Sequence, residues 1–466
     1  MTPTGSRGFG ARAGIGAAVS VALVIGVGAA VALPWPNAER EPVSVTAQPQ
    51  PTASTLSCVG PVLAAGRNAA DAGQLTDAAD SEISAATGVD ALEATTARLA
   101  APDVARGVGP EALEALPVEG KRTDLAAAGS TSVSDEDLRG FAASSCAPAR
   151  LESWIAGGSG TTGAADLLLI ANPSAVAAEV SLTVYGAQGA TEPAAATGIV
   201  VAPRTQRVVP LATIALGEES PVVRVTSSGA PVQVSLQASI TRTLVPGGVD
   251  QVGVTAAPAT RQVIPALSVV ATPGQAGASE SATVLRVLSP SADTEARVVL
   301  TPLGGGATVT DTLPLLAGVP AELELGSLPR NAYRVEVVAD EPIVTAAWTT
   351  TGFGAGSDFA WHTAPAPLNV PSLVAVAAGP SPKLTVSNDS DAAARMRLTG
   401  PDGEQEIAIE AGSSARVAVQ PGAVYRLDGG GARLRANVTY YGPGSLAGYD
   451  VVPADAASEP VVVFTQ

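Results

Sequence analysis

The chain has 466 residues, a net charge of −17, 3% aromatics, and 49 Gly and 37 Pro. That length leaves room for three or four domains, and so many glycines and prolines require frequent turns between short elements. An acidic surface repels a phosphate backbone, which argues against nucleic acid as a partner.

Residues 13–33 read AGIGAAVSVALVIGVGAAVAL and carry no charge. As a helix at about 1.5 Å per residue they span roughly 30 Å, the thickness of a bilayer core. Arg7 and Arg12 precede the run, and mixed charge follows it. The positive-inside rule therefore predicts a cytoplasmic segment at 1–12, a transmembrane anchor in the lipid bilayer at 13–33, and the bulk of the chain outside. The alternative is secretion after signal cleavage, since Ala30-Val31-Ala32 offers small residues at A-x-A spacing. Residues 34–55 are rich in Pro, Ser, Thr and Gln and read as an extended spacer.

A phrase of apolar run, small residue, proline, alanine and apolar run recurs around Pro148, Pro258, Pro365 and Pro453. The spacings of 110, 107 and 88 residues are the size of a small domain. They predict units at 56–147, 148–257, 258–364 and 365–466. The first is Ala-rich and degenerate. A small helical cap is the alternative reading for 59–145. Cys58 and Cys146, the only cysteines, lie 88 residues apart at its edges. In an exported chain such a pair forms a disulfide.

From residue 150 onward the text is β. Runs such as DLLLIAN, EVSLTVYG, VVRVTS and PVQVSLQA are short, rich in Val, Leu and Ile and punctuated by Gly, Pro and Ser. Asn172-Pro173-Ser174 answers to Ser289-Pro290-Ser291 and Asn388-Asp389-Ser390, with a new strand about six residues later each time. This pattern predicts a mainly β chain of tandem immunoglobulin-like sandwiches. A propeller-like closed array is the alternative. Residues 460–464 (PVVVF) stand where earlier units begin and are expected to be a closing strand of the last unit.

Signals for chemistry are sparse. His362 is the only histidine, so any Ser-His-Asp arrangement would need it. One His and two paired Cys cannot make a zinc site. Glu218-Glu219, Asp389/Asp391 and Glu404/Glu406 are the carboxylate pairs considered for acid–base hydrolysis. Asn388 to Asp391 read as a solvated turn, with calcium as the functional alternative. The expectation is no enzyme, no cofactor and no metal. Trp154, Trp348, Trp361, Tyr440 and Tyr441 fall at strand edges near unit borders. They read either as packing or as a binding surface.

The stretch C-x-P-x-x-x-x-x-W-x-x-GG at 146–158, followed by LLLIANPSAVAAEVSLTVYGAQG, resembles the actinobacterial "large secreted protein" family of unknown function. The resemblance covers residues 56–466 and is most specific over 140–190. It implies an exported, β-rich cell-envelope protein behind an N-terminal membrane segment, with no known activity or catalytic residue to carry over. Together these readings predict a membrane-anchored structural or interaction protein of the bacterial envelope. Its expected partners are cell-envelope proteins or wall glycan. The alternative is an accessory module that binds cell-wall or capsular polysaccharide.

Overall fold

The computed structural model describes residues 9–32, 44–47, 50–66, 73–89, 92–271, 281–454 and 461–464. They fall into two bodies, residues 1–49 with 458–466, and residues 50–457. In the smaller body, α1 (Phe9–Ala32) is followed by β1 (Ser44–Ala47). Ile15, Leu23 and Ile25 on α1 are exposed. The part of α1 with described side chains, 14–28, rises about 22 Å. Among the described residues no helix is long and apolar enough to cross a membrane.

The chain's last strand, Val461–Phe464, pairs antiparallel with β1, Ser44 opposite Phe464. This corrects the expectation that residues 460–464 close the fourth unit. That unit already fills both its sheets with its own strands. The β-branched run pairs instead with the Ser-Val-Thr-Ala edge inside the stretch read as spacer.

The larger body is a set of antiparallel β-sandwiches. The first unit holds β2 (Ser54–Ser57), β3 (Val62–Ala65), β4 (Leu75–Ala79), β5 (Glu82–Thr87), β6 (Thr95–Arg98), β7 (Glu111–Ala115), β8 (Leu125–Ser134) and β9 (Arg139–Ser145). The second holds β10 (Glu152–Ile155), β11 (Leu167–Asn172), β12 (Ala178–Gly186), β13 (Gly189–Thr191), β14 (Ile199–Val201), β15 (Thr205–Pro210), β16 (Val222–Ser228), β17 (Gln233–Arg242) and β18 (Val245–Val252). The third holds β19 (Ala259–Val269), β20 (Thr283–Leu288), β21 (Thr294–Pro302), β22 (Val309–Leu315), β23 (Ala321–Glu324), β24 (Asn331–Thr350) and β25 (Phe359–Thr363). The fourth holds β26 (Ser372–Ala375), β27 (Lys383–Asn388), β28 (Ala394–Gly400), β29 (Gly403–Ile409), β30 (Ser414–Ala418), β31 (Val424–Asp428), β32 (Leu434–Gly442) and β33 (Ser445–Asp450).

One strand order recurs. In the fourth unit the sheets run β26-β31-β28-β29 and β30-β27-β32-β33. The second unit repeats this as β10-β16-β12-β13 and β15-β11-β17-β18, with β14 also on β12. In the third, β24 serves twice: its first half pairs with β19 and β21, its second with β20 and β25. The first unit keeps a reduced version, β2-β7-β6 and β5-β8-β9, with the separate pair β3-β4. No helix occurs among the described residues of 59–145, so the helical-cap reading is corrected. The two-sheet architecture is immunoglobulin-like, but the order is different. The first strand pairs with the sixth in the first, third and fourth units and with the seventh in the second, which has β14 in addition, whereas an immunoglobulin domain pairs its first with its second.

Period-2 patterning explains the sandwiches. Along β28 (ARMRLTG), Ala394, Met396 and Leu398 are buried between exposed Arg395, Arg397 and Thr399. The repeated Asn/Ser turn also has a physical reason. Asn172 Nδ2 donates to the carbonyls of Val176 and Val201, and its Oδ1 accepts the Ser174 N–H. Asn388 does the same with Ala392, Ile409 and Ser390. One amide thus closes the turn and ties it to a neighbouring segment.

Each recurring proline follows the last strand of a unit: β9, β18, β25 and β33. These four strands touch in a closed circuit, β9 to β18 to β25 to β33 and back to β9. Asp358, just ahead of β25, sits at the junction. Its carboxylate accepts the N–H groups of Phe141, Val249 and Leu446 at 2.9, 3.3 and 3.0 Å. A Cβ on Gly140 or Gly248 would come within 2.5 or 2.8 Å of its Oδ1, so glycine makes the approach possible.

Each unit seats on the one before it. Gln237 of the second exchanges two hydrogen bonds with the Leu63 backbone of the first, at 2.8 and 2.7 Å. Phe359 and Trp361 of the third share a core with Leu182 and Leu236 of the second. Asn437 of the fourth donates to Ala266 of the third. Ala128 and Phe141 of the first share a core with Val374 and Tyr440 of the fourth, which closes the ring. The units are sandwiches rather than propeller blades, but their array is closed.

Cys58 and Cys146 form a disulfide with Cα atoms 4.0 Å apart. They lie one residue beyond β2 and β9. Next to them, the backbones of Ser57 and Ala147 exchange hydrogen bonds of 2.9 and 3.0 Å. The bridge therefore staples the two edges of the first unit.

Candidate functional site

The cleft that combines aromatic and charged walls lies between the second and third units. Its origin is strand parity. On β20 and β24, Leu285, Val287 and Ala347 fill the third unit's own core. Residues of the opposite parity face the second unit. Val284 and Trp348 are cross-strand partners, as are Trp348 and Trp361, and Arg286 pairs with Glu322. The second unit covers only part of this face. What remains is a cleft of about 160 Å³, open to solvent, whose opposite wall includes Gly158, Ser159, Asp166 and Glu219.

The W-x-x-GG motif belongs to this wall. A Cβ on Gly157 would stand 3.2 Å from the Trp361 indole. Gly158 has φ +86°, and a Cβ there would lie 2.8 Å from Asp166 Oδ2. The glycine pair lets the backbone lie against both side chains.

Arg286 is 3% exposed. Its Nη1 donates to the carbonyls of Gly158 and Pro221, both at 2.9 Å, and Nε donates to Glu322 at 2.9 Å. Its guanidinium stacks over Trp361, 4.8 Å from the ring centroid. Burial pulls its pKa down, opposed by Glu322. Asp166 accepts the N–H groups of Ser159 and Ser239 at 2.8 and 2.9 Å. Burial pushes its carboxyl up to about 7, against the pull of those donors. Glu219 stands exposed on the rim.

The residues singled out from sequence go to different places. Trp348 and Trp361 meet in the cleft. Trp154 is buried, stacked on Tyr185 at 5.6 Å, with its indole N–H donating to Glu152 at 2.9 Å. Tyr440 is wholly buried and donates to the Ala377 carbonyl at 2.9 Å. Tyr441 is exposed and apart from them. The five do not form one surface. Sequence reading passed over Asp166 and Arg286. The available signal was an ionisable residue beside or inside an otherwise apolar strand, DLLLIAN and TVLRVL.

His362 is buried with neither ring nitrogen hydrogen-bonded. Burial drives its pKa down to about 4, so the ring is neutral at neutral pH. Among the described residues no group of three or more His, Cys, Asp or Glu is placed to hold a metal ion. Both readings of Asn388 to Asp391 are corrected at Asp389, which is neither solvated nor a free ligand. It is buried, 2.6 Å from Arg435, 3.3 Å from Arg261 and 3.6 Å from Arg334. Glu404 and Glu406 are exposed and pair with Arg397 and Arg395 across β28 and β29. Glu218 accepts the Ala187 N–H at 2.8 Å, which leaves Glu219 alone on the cleft.

Residues 101–420 match a family described as "Family of unknown function (DUF5719)". The chain belongs to the DUF5719 family. The matched span holds the W-x-x-GG motif, Asp166, Arg286, Trp348 and Trp361, so the whole cleft lies inside the family's common region. No curated protein matches the chain. Among solved structures, the FN1-FN3 domains of chicken CNTN1 are similar at 12% identity, covering 64% of this chain and 96% of that one, with a TM-score of 0.12.

Proposed function

We propose that the protein is a non-enzymatic scaffold of the bacterial cell envelope, of the secreted actinobacterial type its sequence resembles. In this reading residues 13–33 anchor it and the larger body lies outside the membrane, presenting its surfaces to envelope proteins. The observation that supports it most is the Asp358 junction. A carboxylate bonded to three other units favours one rigid body over a flexible string, and a rigid body suits a role of holding partners in place. The test uses the full chain immobilised and exposed to detergent-solubilised envelope. Retention of a reproducible set of proteins, with none of the chain held by purified wall glycan, is the expected result. Retention on the glycan alone would overturn the reading. The anchor has its own test. The intact chain should sediment with membranes and retain residues 1–33, whereas a mature N-terminus just after Ala32 would refute it.

The second reading is a polysaccharide-binding module. The observation that favours it is the cleft, where an aromatic pair and carboxylates stand together as sugar rings and hydroxyls require.

A further inference from the structure

Three features compete for a role beyond scaffolding: the Asp358 junction, the buried His362 and the cleft at the second seam. The first two are closed to solvent by packed strands and take no ligand. The cleft is open and has a defined chemical character.

Its charges do not cancel. Arg286 is paired with Glu322 and stacked on Trp361, and its Nε and Nη1 donors are taken by Glu322 and two carbonyls. Asp166 and Glu219 make no close ion pair and share the attraction of that one guanidinium, so a single cation faces three carboxylates. Each Asp166 oxygen accepts a single backbone N–H, leaving acceptor capacity on both. The cleft thus presents aromatic rings beside net negative charge. Aromatic faces attract cations through the ring quadrupole, most strongly where water is excluded, and a nearby carboxylate adds direct attraction. An anionic ligand would meet repulsion from both acids.

We propose that this cleft binds an organic ammonium group, a protonated amine or quaternary ammonium carried on a small neutral body. The inference stands apart from the scaffold reading. A free amino sugar and a lysine side chain both supply the chemistry, and the experiment separates them.

The test is calorimetric titration of the full chain with four probes: a glucosamine tetramer, its N-acetylated counterpart, Nα-acetyl-lysine methyl amide and benzyltrimethylammonium. Binding of an amine probe, lost by at least tenfold on N-acetylation, is expected. The tetramer binding more tightly than the lysine derivative identifies an amino sugar, and the reverse order identifies a peptide. Benzyltrimethylammonium has a charge that does not change with pH. Its affinity should rise several-fold between pH 6 and pH 8 as Asp166 ionises. Asp166→Asn should abolish that rise. Glu219 is exposed, so Glu219→Gln should fold normally and weaken binding about threefold or more. Equal affinity for free and acetylated tetramers overturns the proposal, as does absence of binding by every cationic probe.

Discussion

The Asp358 carboxylate accepts the N–H of Phe141 at 2.9 Å although 217 residues of chain separate them. The same group takes the N–H of Val249 from the second unit and of Leu446 from the fourth. One side chain therefore closes contacts among all four repeats. Replacing it with alanine leaves three buried donors unpaired, each costing about 1–3 kcal/mol. Asp358→Ala should lower the melting temperature by several degrees and open the seams to protease. A melting curve and a digestion pattern like those of the parent would remove the junction from the account.

Stability should depend on pH with a defined sign. Burial raises Asp166 and Asp358 to about 7 and Asp450 to about 8, so between pH 4 and 8 the folded state binds more protons than the unfolded. Stability from these groups is full at low pH and is lost as pH rises through 7 to 8. His362 works the other way. Its folded pKa is depressed to about 4, so stability is lost as pH falls from about 6.5 toward 4. Melting temperature against pH should therefore peak on the acid side of neutral. Asp450→Asn should flatten the alkaline limb, and His362→Leu the acid limb. A profile rising steadily from pH 5 to pH 9 contradicts the carboxylate assignments, and one falling steadily from pH 4 contradicts that of His362.

The disulfide should matter most to the first unit, whose sheets have fewer strands than the others. Closing an 88-residue loop contributes roughly 4.6 kcal/mol on loop-closure entropy. A Cys58→Ser, Cys146→Ser double variant should show early unfolding of residues 54–145 by hydrogen exchange, with the remaining units protected. Uniform loss of protection across the body would mean that the ring unfolds as one.

Two ion pairs of similar length should behave very differently. Asp389 joins Arg435 at 2.6 Å with both side chains nearly inaccessible, whereas Glu406 joins Arg395 at 2.9 Å in solvent. Asp389→Ala strands buried guanidinium groups at the seam of the third and fourth units and should cost about 3–5 kcal/mol. Glu406→Ala should cost at most about 1 kcal/mol. Chemical denaturation of both variants checks the contrast, and equal effects would contradict the burial of Asp389.

What the sequence determined by itself was local and repeated. Period-2 runs such as ARMRLTG specify strands, and the Asn172 and Asn388 phrases specify turns. The prolines at 148, 258, 365 and 453 mark unit borders, and the two cysteines left one pairing. Each signal is carried by residues a few positions apart, whose backbone preferences act before distant segments meet. Tertiary structure alone decided that β9, β18, β25 and β33 meet around Asp358, that Val461–Phe464 pairs with β1, and that Asp389 is held by three arginines. It also decided which face of β20, β24 and β25 is half covered, and so brought Trp348, Trp361, Arg286 and Asp166 into one cleft. A charge inside an apolar strand shows only that some partner must exist. Which one depends on how whole sandwiches pack across hundreds of residues, and no local preference encodes that.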